Sequence, residues 1–489
     1  MTVSPGVALH SDLIARALHL PGAEPWRSDA VLALGGRRGF LPKGRAPSVL
    51  LLGCGAGETT AMLAAAGADV VAVDPDGLAA AATDALLRAA DLPGRVIHAP
   101  FTQVPRDLPE FDFAAMPQGW SDVSDPGRAA IAALLAAHLR PGGALFLTHA
   151  VTPGGAEDLP LRQLARAIWA RTDPGLGLAD RGAAALAMLE DALPACHLML
   201  RAHGGYEAEM AAIRALPPAL AAERWFMADR RPESVSALGR RMRGAGLLDL
   251  APADPMRLAR DLDLSAEQQA MADASAPWPA DLSEAAFLAA ELADIAARRA
   301  MRADLLLKSA PAPRDVAQAG RVLLRRVRDV GDALGAPLVG FLGPHAPARG
   351  AYAPLLDAVP EDRAVFLAEI ARRAGLDLAA AAPLVGAMIG QGALVIAASD
   401  DMAARIAPAC ARLNTALLAR GGAGWLVAPA LGGGVQVSAA AWAHLRAALA
   451  RMGESPGGLA STTSGGILAS SLTQEVRLLQ KLGAAPSNV

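Results

Sequence analysis

Cysteine is scarce in this chain, with only Cys54, Cys196 and Cys410 among 489 residues, and the three lie far apart. This spacing excludes a disulfide framework and offers no pair of cysteines at metal-ligand spacing. Cys196 precedes His197, but no second such pair follows, so we predict no zinc or other metal site. Few cysteines suit a reducing compartment, which favours a cytoplasmic location.

The chain also lacks a large charge of one sign and a long uninterrupted apolar run. Its formal net charge is −3, so no broad basic surface indicates a nucleic-acid partner. The N-terminus has no basic segment followed by an apolar one, so no signal peptide is predicted. The most apolar window, residues 376–398, contains Asp377, Pro383 and Gln391. We therefore predict a buried helix, a turn and a strand there, without membrane insertion.

Apolar residues make up 53% of the chain and charged residues 19%, which is typical of a globular protein with several domains. Between residues 47 and 150, apolar runs alternate with helical patterns, which predicts an α/β domain with a parallel sheet and helices on both faces. Helical patterns dominate residues 159–308. Later, two helices at 364–374 and 378–389 precede a strand at 393–397, an order compatible with a winged helix. The predicted domains are residues 1–155, 156–312 and 313–489.

The stretch of residues 47–60 carries the strongest signal for a ligand. Residues 49–52 are an apolar run short enough for a buried parallel strand, and a helical pattern follows after Gly53, Gly55 and Gly57. Positions without a side chain let the backbone approach a nucleotide-like ligand closely. The spacing does not fit the dinucleotide fingerprint, which needs a third glycine three residues after the second. It resembles the first motif of class I methyltransferases, which bind S-adenosylmethionine.

Other candidates for the cofactor site follow from the order of the strands. Cys54 and Ala56 stand between the glycines, and we interpret Cys54 as a small residue that fits there, not as a nucleophile. Asp74 ends the second strand, where a carboxylate either accepts hydrogen bonds from both ribose hydroxyls or caps the next helix. Phe101 either faces the adenine or belongs to the core. The residues predicted to line the methionine end of the cofactor, after the fourth strand, include Met116 and Gln118.

The segment after the fourth strand is where the acceptor meets the methyl group in this fold. Trp120 and Asp122 are our candidates for the catalytic residues on the acceptor side. Asp122 either holds or deprotonates an amine, or is a surface turn residue. His149, at the end of the fifth strand, is a lesser candidate, and a buried, hydrogen-bonded histidine is the alternative.

Three islands of sequence give a wider resemblance: residues 111–123 with 139–154, residues 292–306 with a helical pattern, and residues 413–418 with 428–435. The chain is similar to bacterial S-adenosylmethionine-dependent methyltransferases that carry a helical regulatory domain, including rickettsial lysine methyltransferases acting on outer-membrane proteins. The resemblance implies a Rossmann-like catalytic domain, a helical domain for substrate control or homodimer formation, and a C-terminal winged-helix region. It also implies methyl transfer to a protein side chain, above all lysine.

Departures from that family's pattern leave two alternatives open. Leu51 stands where the family has an acid at the end of the first strand, and Pro100 stands where an acid often follows the third. Residues 120–123 also differ from the family's Tyr-Ser-Trp-Val. One alternative is a degenerate methyltransferase that serves as a binding or regulatory protein. The other is an enzyme that methylates a small molecule.

Overall fold

A mixed sheet of seven strands lies at the centre of the protein. The structure is a computed structural model and describes residues 24–196, 206–274, 282–420, 424–454 and 475–485. The five strands predicted between residues 49 and 148 are present and pair in parallel with their neighbours, so the predicted α/β fold is confirmed here. These strands are β1 (Ser48–Leu52), β2 (Asp69–Asp74), β3 (Arg95–His98), β4 (Phe111–Met116) and β5 (Leu139–Ala150).

Two further strands complete the sheet and correct the prediction for residues 159–308. These are β6 (Asp249–Pro252) and β7 (Met301–Leu307). β7 pairs antiparallel with both β5 and β6, so the full order is β3-β2-β1-β4-β5-β7-β6. The sequence does not reveal β7 because Arg302 and Asp304 interrupt its apolar run, although both side chains are buried and pair with each other.

The apolar core divides between the two faces of the sheet. Val49 and Leu51 pack in one cluster, and Leu50 and Leu52 pack in another, because successive side chains of a strand point to opposite faces. Helices cover both faces, as predicted. They are α1 (Pro25–Leu34), α2 (Glu58–Ala65), α3 (Gly77–Ala89) and α4 (Asp125–His138).

The chain between β5 and β6 contains a helical insertion, residues 159–227, with an apolar core of its own. Leu161, Leu189, Ile213 and Phe226 belong to that core, which is formed by residues of the insertion. Its elements are α5 (Leu159–Trp169), α6 (Leu178–Ala192), α7 (Tyr206–Arg214), α8 (Pro218–Ala221) and a π-helical turn (Ala222–Met227).

Three further helices flank β6 and β7. They are α9 (Val235–Arg243), α10 (Ala266–Ala274) and α11 (Leu282–Ala296). α9 packs against the sheet through Leu238 and Met242. Since α11 ends at Ala296, the helical pattern predicted for residues 292–306 is wrong in its second half, where β7 begins.

The described part of the region after β7 combines helices with short antiparallel strands. The predicted helices at 364–374 and 378–389 and the strand at 393–397 are present, while the winged helix stays a prediction. The helices are α12 (Val330–Gly335), α13 (Arg349–Asp357), α14 (Leu367–Ala374), α15 (Leu378–Gln391), α16 (Asp400–Arg420) and α17 (Ala439–Glu454). The strands are β8 (Leu323–Arg326), β9 (Leu338–Gly340), β10 (Gly343–His345), β11 (Val365–Phe366), β12 (Leu394–Ile396), β13 (Trp425–Ala428) and β14 (Gly433–Gln436).

The C-terminal region packs directly on the back of the glycine turn. Cys410 and Leu413 of α16 lie in the same apolar cluster as Val49 of β1 and Ala61 of α2. The buried side chain of Asn414 donates to the carbonyl of Val427 at 2.9 Å and accepts from the same residue's N–H at 2.8 Å. The central sheet takes strands from residues 48–150 and 249–307, on both sides of the predicted boundary at 155, and the division into three domains stays a prediction.

In the described ranges, no single helix is long and apolar enough to span a membrane. α14 and α15 meet the length and composition criteria only as a pair, and that pair is bent by 109°. Ile370 and Val385 of these helices lie in a buried core. The buried helix, turn and strand predicted for residues 376–398 are present as α15 and β12.

Candidate active site

The glycine turn leads from β1 into α2. Gly53, Gly55 and Gly57 have φ angles of 82°, 50° and 89°, a left-handed conformation that residues with a side chain rarely adopt. Gly57 also lies against α3, where a Cβ would stand 2.6 Å from the Cα of Thr83. The third glycine therefore serves the close packing of α2 on α3, and the first two shape the turn.

The glycine turn faces open space beside the loop that follows β4. Gly55 and Ala56 are exposed, and a Cβ on Gly55 would meet no atom within 4 Å. A Cβ on Gly53 would lie 3.9 Å from the carbonyl oxygen of the exposed Gln118. The two loops thus meet at the carboxyl ends of adjacent strands, where α/β sheets bind ligands. This cradle fits the predicted nucleoside cofactor.

Asp74 holds the glycine turn in place. Its Oδ2 accepts the N–H groups of Cys54 at 2.7 Å and Gly55 at 3.2 Å, and its Oδ1 accepts the N–H of Asp76 at 2.8 Å. The cap of α3 is Asp76, which accepts from the N–H of Leu78, so Asp74 is not the helix cap. Because a carboxylate oxygen has two lone pairs, Oδ1 retains one site for a ribose hydroxyl, fewer than the sequence prediction assumed.

Three other predicted cofactor residues lie deeper in the domain. Cys54 is buried, and burial raises the pKa of its thiol to about 11, in keeping with a small residue that fits the turn. Met116 packs in the same core cluster as Leu50. Phe101 is half-buried against that cluster and keeps part of its ring accessible.

Trp120 is a core residue, which corrects its prediction as an acceptor-side residue. Its side chain is 0% exposed, and its indole N–H donates to Oε1 of the buried Glu233 at 2.6 Å. The guanidinium of Arg128 lies 5.4 Å from the centre of the ring. With the ring enclosed and its polar atom paired, Trp120 supports the loop after β4 and does not face a substrate.

The turn that carries Asp122 is fixed by polar contacts on three sides. The Oγ of Ser121 accepts the N–H of Ala150, at the end of β5, at 2.7 Å. The guanidinium of Arg128 donates to the carbonyls of Trp120 and Ser121. The N–H of Arg231 donates to the carbonyl of Ser121 at 2.6 Å. The position of Asp122 is therefore set by α4, β5 and the segment that follows the insertion.

Asp122 is exposed at the carboxyl edge of the sheet, where an acceptor would arrive. Although the residue is exposed, the protein atoms around its carboxyl group remove part of its hydration and raise its pKa, and the positive charges of Arg230, Arg162 and Arg128 offset only part of that effect. A raised pKa improves a carboxylate as a proton acceptor. The arrangement is therefore suited to receiving a proton from an amine.

His149 is the buried, hydrogen-bonded histidine of the sequence alternative. It is 1% exposed, and its Nε2 lies 3.0 Å from Oδ2 of Asp304 on β7. Burial raises the pKa of Asp304, but the charge of Arg302 and the hydrogen bond to His149 outweigh it and hold the pKa well below its usual range. Sequence reasoning misses this cluster because its members are 155 residues apart and pair only once β7 joins β5.

Arg420 makes a second contact that the sequence does not indicate. It ends α16, and its Nη1 donates to the carbonyl oxygen of Ala56 at 2.8 Å. The C-terminal region thus contacts the glycine turn itself. No local motif marks this residue, because its partner lies 364 positions earlier.

Metal ligation finds no support in the part of the chain that the structure describes. No group of three or more histidine, cysteine, aspartate or glutamate side chains there could hold a metal ion. Cys54 and Cys410 are buried free thiols.

Comparisons with known proteins agree with this geometry. Residues 49–143 match a family model described as a methyltransferase domain. No sequence among the curated proteins matches the chain. The structure of PKMT2 from Rickettsia typhi is similar with a TM-score of 0.58 at 12% identity, covering 94% of this chain and 97% of that one. For PKMT2 in complex with AdoHcy, the TM-score is 0.60 at 13% identity, with 95% and 98% covered.

The matched segment runs from β1 into β5 and contains the glycine turn, Asp74 and Asp122. The predictions of a methyltransferase and of S-adenosylmethionine as its cofactor are confirmed. The similarity to PKMT2, at this low identity, is one of fold. The chain carries an S-adenosylmethionine-dependent methyltransferase domain within a fold similar to that of PKMT2 from Rickettsia typhi.

Proposed function

We propose that the protein methylates a side-chain amine of another protein, with lysine as the acceptor. The observation that carries this proposal is the extent of the fold similarity. It covers 95% of the chain, so it includes the helical insertion and the C-terminal region as well as the methyltransferase domain. The sequence islands that resemble lysine methyltransferases point to the same acceptor.

The donor side of the site is formed by the glycine turn, Asp74 and Gln118. S-adenosylmethionine supplies an electrophilic methyl group on a sulfonium sulfur. In this proposal, Gly53 and Gly55 let the backbone approach the nucleoside, and Oδ1 of Asp74 would accept a ribose hydroxyl. Holding donor and acceptor in line is the main catalytic requirement of such a displacement.

The acceptor side centres on Asp122. An ammonium group cannot attack carbon, so the amine must lose a proton before or during the transfer. The raised pKa of Asp122 makes its carboxylate a suitable acceptor for that proton. Asp122 would therefore hold the amine by a charge-assisted hydrogen bond and then take its proton.

The insertion contributes Arg162 to the charged surroundings of Asp122. Arg162 of α5 donates to Asp158 at 2.6 Å and to the carbonyl of Arg224 at 2.8 Å, and it lies 4.0 Å from the ring centre of Trp225. The loop itself is open, because Gln118, Gly119 and Asp122 are exposed. An open loop favours a side chain presented by a protein over an enclosed small molecule.

The proposal is tested by titration of the purified chain with S-adenosylmethionine, followed by methyl transfer from a labelled donor to lysate proteins. We expect saturable binding and label recovered as methyllysine. Gly55→Asp should abolish both, since an acidic side chain would fill the cradle. The matched control is Gly142→Asp, which also has a positive φ of 79° and no neighbour within 4 Å but lies in the turn within β5.

The outcomes separate the alternatives. Undetectable cofactor binding would favour a degenerate homologue that serves as a binding protein. Binding with label found only in small molecules would favour the small-molecule enzyme. Label on a protein residue other than lysine would overturn the acceptor and keep the reaction.

A further inference from the structure

A cavity of about 320 Å³ lies beside β6, at the far edge of the sheet from β3. Its walls come from the loop after α1, the segment after β6, helices α10 and α11, and the start of β7. None of the predicted cofactor residues lines it. Since β4, β5 and β7 separate β6 from β1, four strand spacings, about 19 Å, lie between this cavity and the strand that carries the glycine turn.

The lining of the cavity carries a surplus of positive charge. Two aspartates, Asp263 and Asp273, line it together with six arginines. We call it the arginine cavity. The arginines are Arg37, Arg257, Arg260, Arg299, Arg302 and Arg314.

Four of these arginines are neutralised by carboxylates of the protein. The partners lie partly in the lining and partly behind it, at distances between 2.7 and 3.2 Å. The pairs are Arg37 with Asp249, Arg260 with Asp273, Arg299 with Asp263, and Arg302 with Asp304.

The other two arginines, Arg257 and Arg314, form no ion pair within 4 Å among the described residues, although the charges of Asp263 and Asp294 act on Arg257 and that of Asp249 acts on Arg314. Nε and Nη1 of Arg257 are buried without a hydrogen-bond acceptor, and its guanidinium lies 6.0 Å from the ring centre of Phe341. A buried donor without an acceptor is costly, and a buried unpaired charge is more so. The cavity thus contains charged donors that its own walls do not satisfy.

Arg314 lines the same cavity, and its side chain is exposed. Although Arg314 is exposed, the protein atoms around its guanidinium remove part of its hydration and lower its pKa; the positive charges of Arg37 and Arg260 lower it further, and the charge of Asp249 opposes the shift. Mutual repulsion of this kind is relieved by a bound negative charge.

Another part of the lining is apolar and made of short side chains. Ala286, Ala289, Ala290 and Ala293 of α11 line the cavity, and their spacing of three and four residues places them on one helix face. Methyl side chains leave room above the helix. A ligand that combines an apolar body with an anionic group would match both the alanines and the arginines of the lining.

We propose that the arginine cavity binds a small organic anion. Its carboxylate or phosphate group is held by Arg257 and Arg314, and its apolar body packs against the alanine face of α11. This site is distinct from the cofactor cradle and does not depend on the methyltransferase activity.

The test is calorimetric titration of the full chain with phenyl phosphate, benzoate and inorganic phosphate. We expect saturable binding of phenyl phosphate or benzoate, with inorganic phosphate weaker because it lacks the apolar body. The stronger of the two aromatic probes identifies the anionic group. The double variant Arg257→Gln with Arg314→Gln should weaken binding at least about tenfold, since each lost charge-assisted hydrogen bond contributes that order.

The matched control is Arg38→Gln, which removes the same charge from an exposed residue that does not line the cavity. It should change the affinity for the aromatic anions by less than about twofold. S-adenosylmethionine binding by the double variant should equal that of the wild type, which also shows that the variant is folded. The proposal is overturned if none of the three probes binds saturably, or if the double variant binds them as well as the control does.

Discussion

At the scale of single residues, Asp122 decides whether the acceptor side works as proposed. We expect Asp122→Asn to lower kcat about 100-fold, the usual contribution of a positioned proton acceptor, with an unchanged Kd for S-adenosylmethionine. Since the pKa of Asp122 is raised, wild-type kcat/KM should fall as the pH drops through that pKa, and the variant should lose this dependence. Steady-state kinetics over a pH series measure both.

The matched control for Asp122 is Asp125→Asn, an exposed carboxylate three positions later whose contacts are with Arg231 and Arg241. It should leave kcat within about twofold. If both variants lose activity equally, Asp122 acts only through the local charge and is not the proton acceptor.

Asp74 is the residue on which the glycine turn depends. We expect Asp74→Asn to raise the Kd for S-adenosylmethionine about tenfold or more, because the amide offers one acceptor oxygen where Oδ2 and Oδ1 now take three N–H groups. Isothermal titration calorimetry measures the change.

Asp76→Asn provides the comparison for Asp74, since asparagine caps a helix as well as aspartate does and Asp76 makes only the cap contact with Leu78 through its side chain. Its Kd should stay near that of the wild type. An equal loss in the two variants would mean that the general negative charge of this segment matters, and not the carboxylate of Asp74.

At the scale of elements, α16 links the C-terminal region to the glycine turn. Arg420 donates to the carbonyl of Ala56. Burial raises the pKa of Glu58 in the first turn of α2, and the charge of Arg420 opposes that shift. We expect Arg420→Gln to raise the Kd for S-adenosylmethionine about fivefold, with kcat unchanged at saturating cofactor.

The same helix offers the control for Arg420. Arg412 donates to the carbonyls of Ala90 and Asp91 at the end of α3, so Arg412→Gln removes an equivalent contact away from the turn. Both variants should lose similar thermal stability, and only Arg420→Gln should lose cofactor affinity, with partial rescue by Arg420→Lys. Equal affinities in the two glutamine variants would make the contact purely structural.

The strands that sequence predicts well are those with uninterrupted apolar runs. β1 and β2 are found within one residue of their predicted bounds, because their central residues are apolar and are buried on both faces of the sheet. β7 escapes prediction, since its charges are paired inside the sheet by residues that sequence does not place nearby. The loop after β4 shows the same limit. The sequence predicts that Asp122 lies in this loop, but it does not reveal that Trp120 is buried, because the hydrogen-bond partner of Trp120 is the distant Glu233.

At the scale of the whole molecule, the stability should depend on pH through Asp263. This carboxylate joins the segment after β6 to Arg299 and to the N–H of Phe341. Burial raises its pKa to about 6, and the charge of Arg257 opposes only part of that shift. The folded state therefore binds the proton more tightly than the unfolded state, whose aspartate pKa is about 3.9.

The direction of the pH dependence follows from this difference between the pKa values of Asp263 in the folded and unfolded states. The contribution of Asp263 is fully present below pH ~4 and is lost as the pH rises through about 6. Between these values, the free energy of unfolding of the wild type should fall by roughly 3 kcal/mol relative to that of Asp263→Asn. Urea unfolding at several pH values measures it. The exposed Asp273→Asn should track the wild type, and parallel curves for all three proteins would contradict the assignment.

The two ends of the helical insertion lie next to each other. Asp158, just before it, and Arg230, just after it, are joined by an ion pair of 3.3 Å, and the segment between them has its own core. A segment whose two ends meet and which has its own core can be lengthened, trimmed or exchanged by mutation while the strands of the sheet keep their pairing. Mutations in the insertion can then change which acceptor is methylated, while the glycine turn and Asp74 on the donor side stay unchanged.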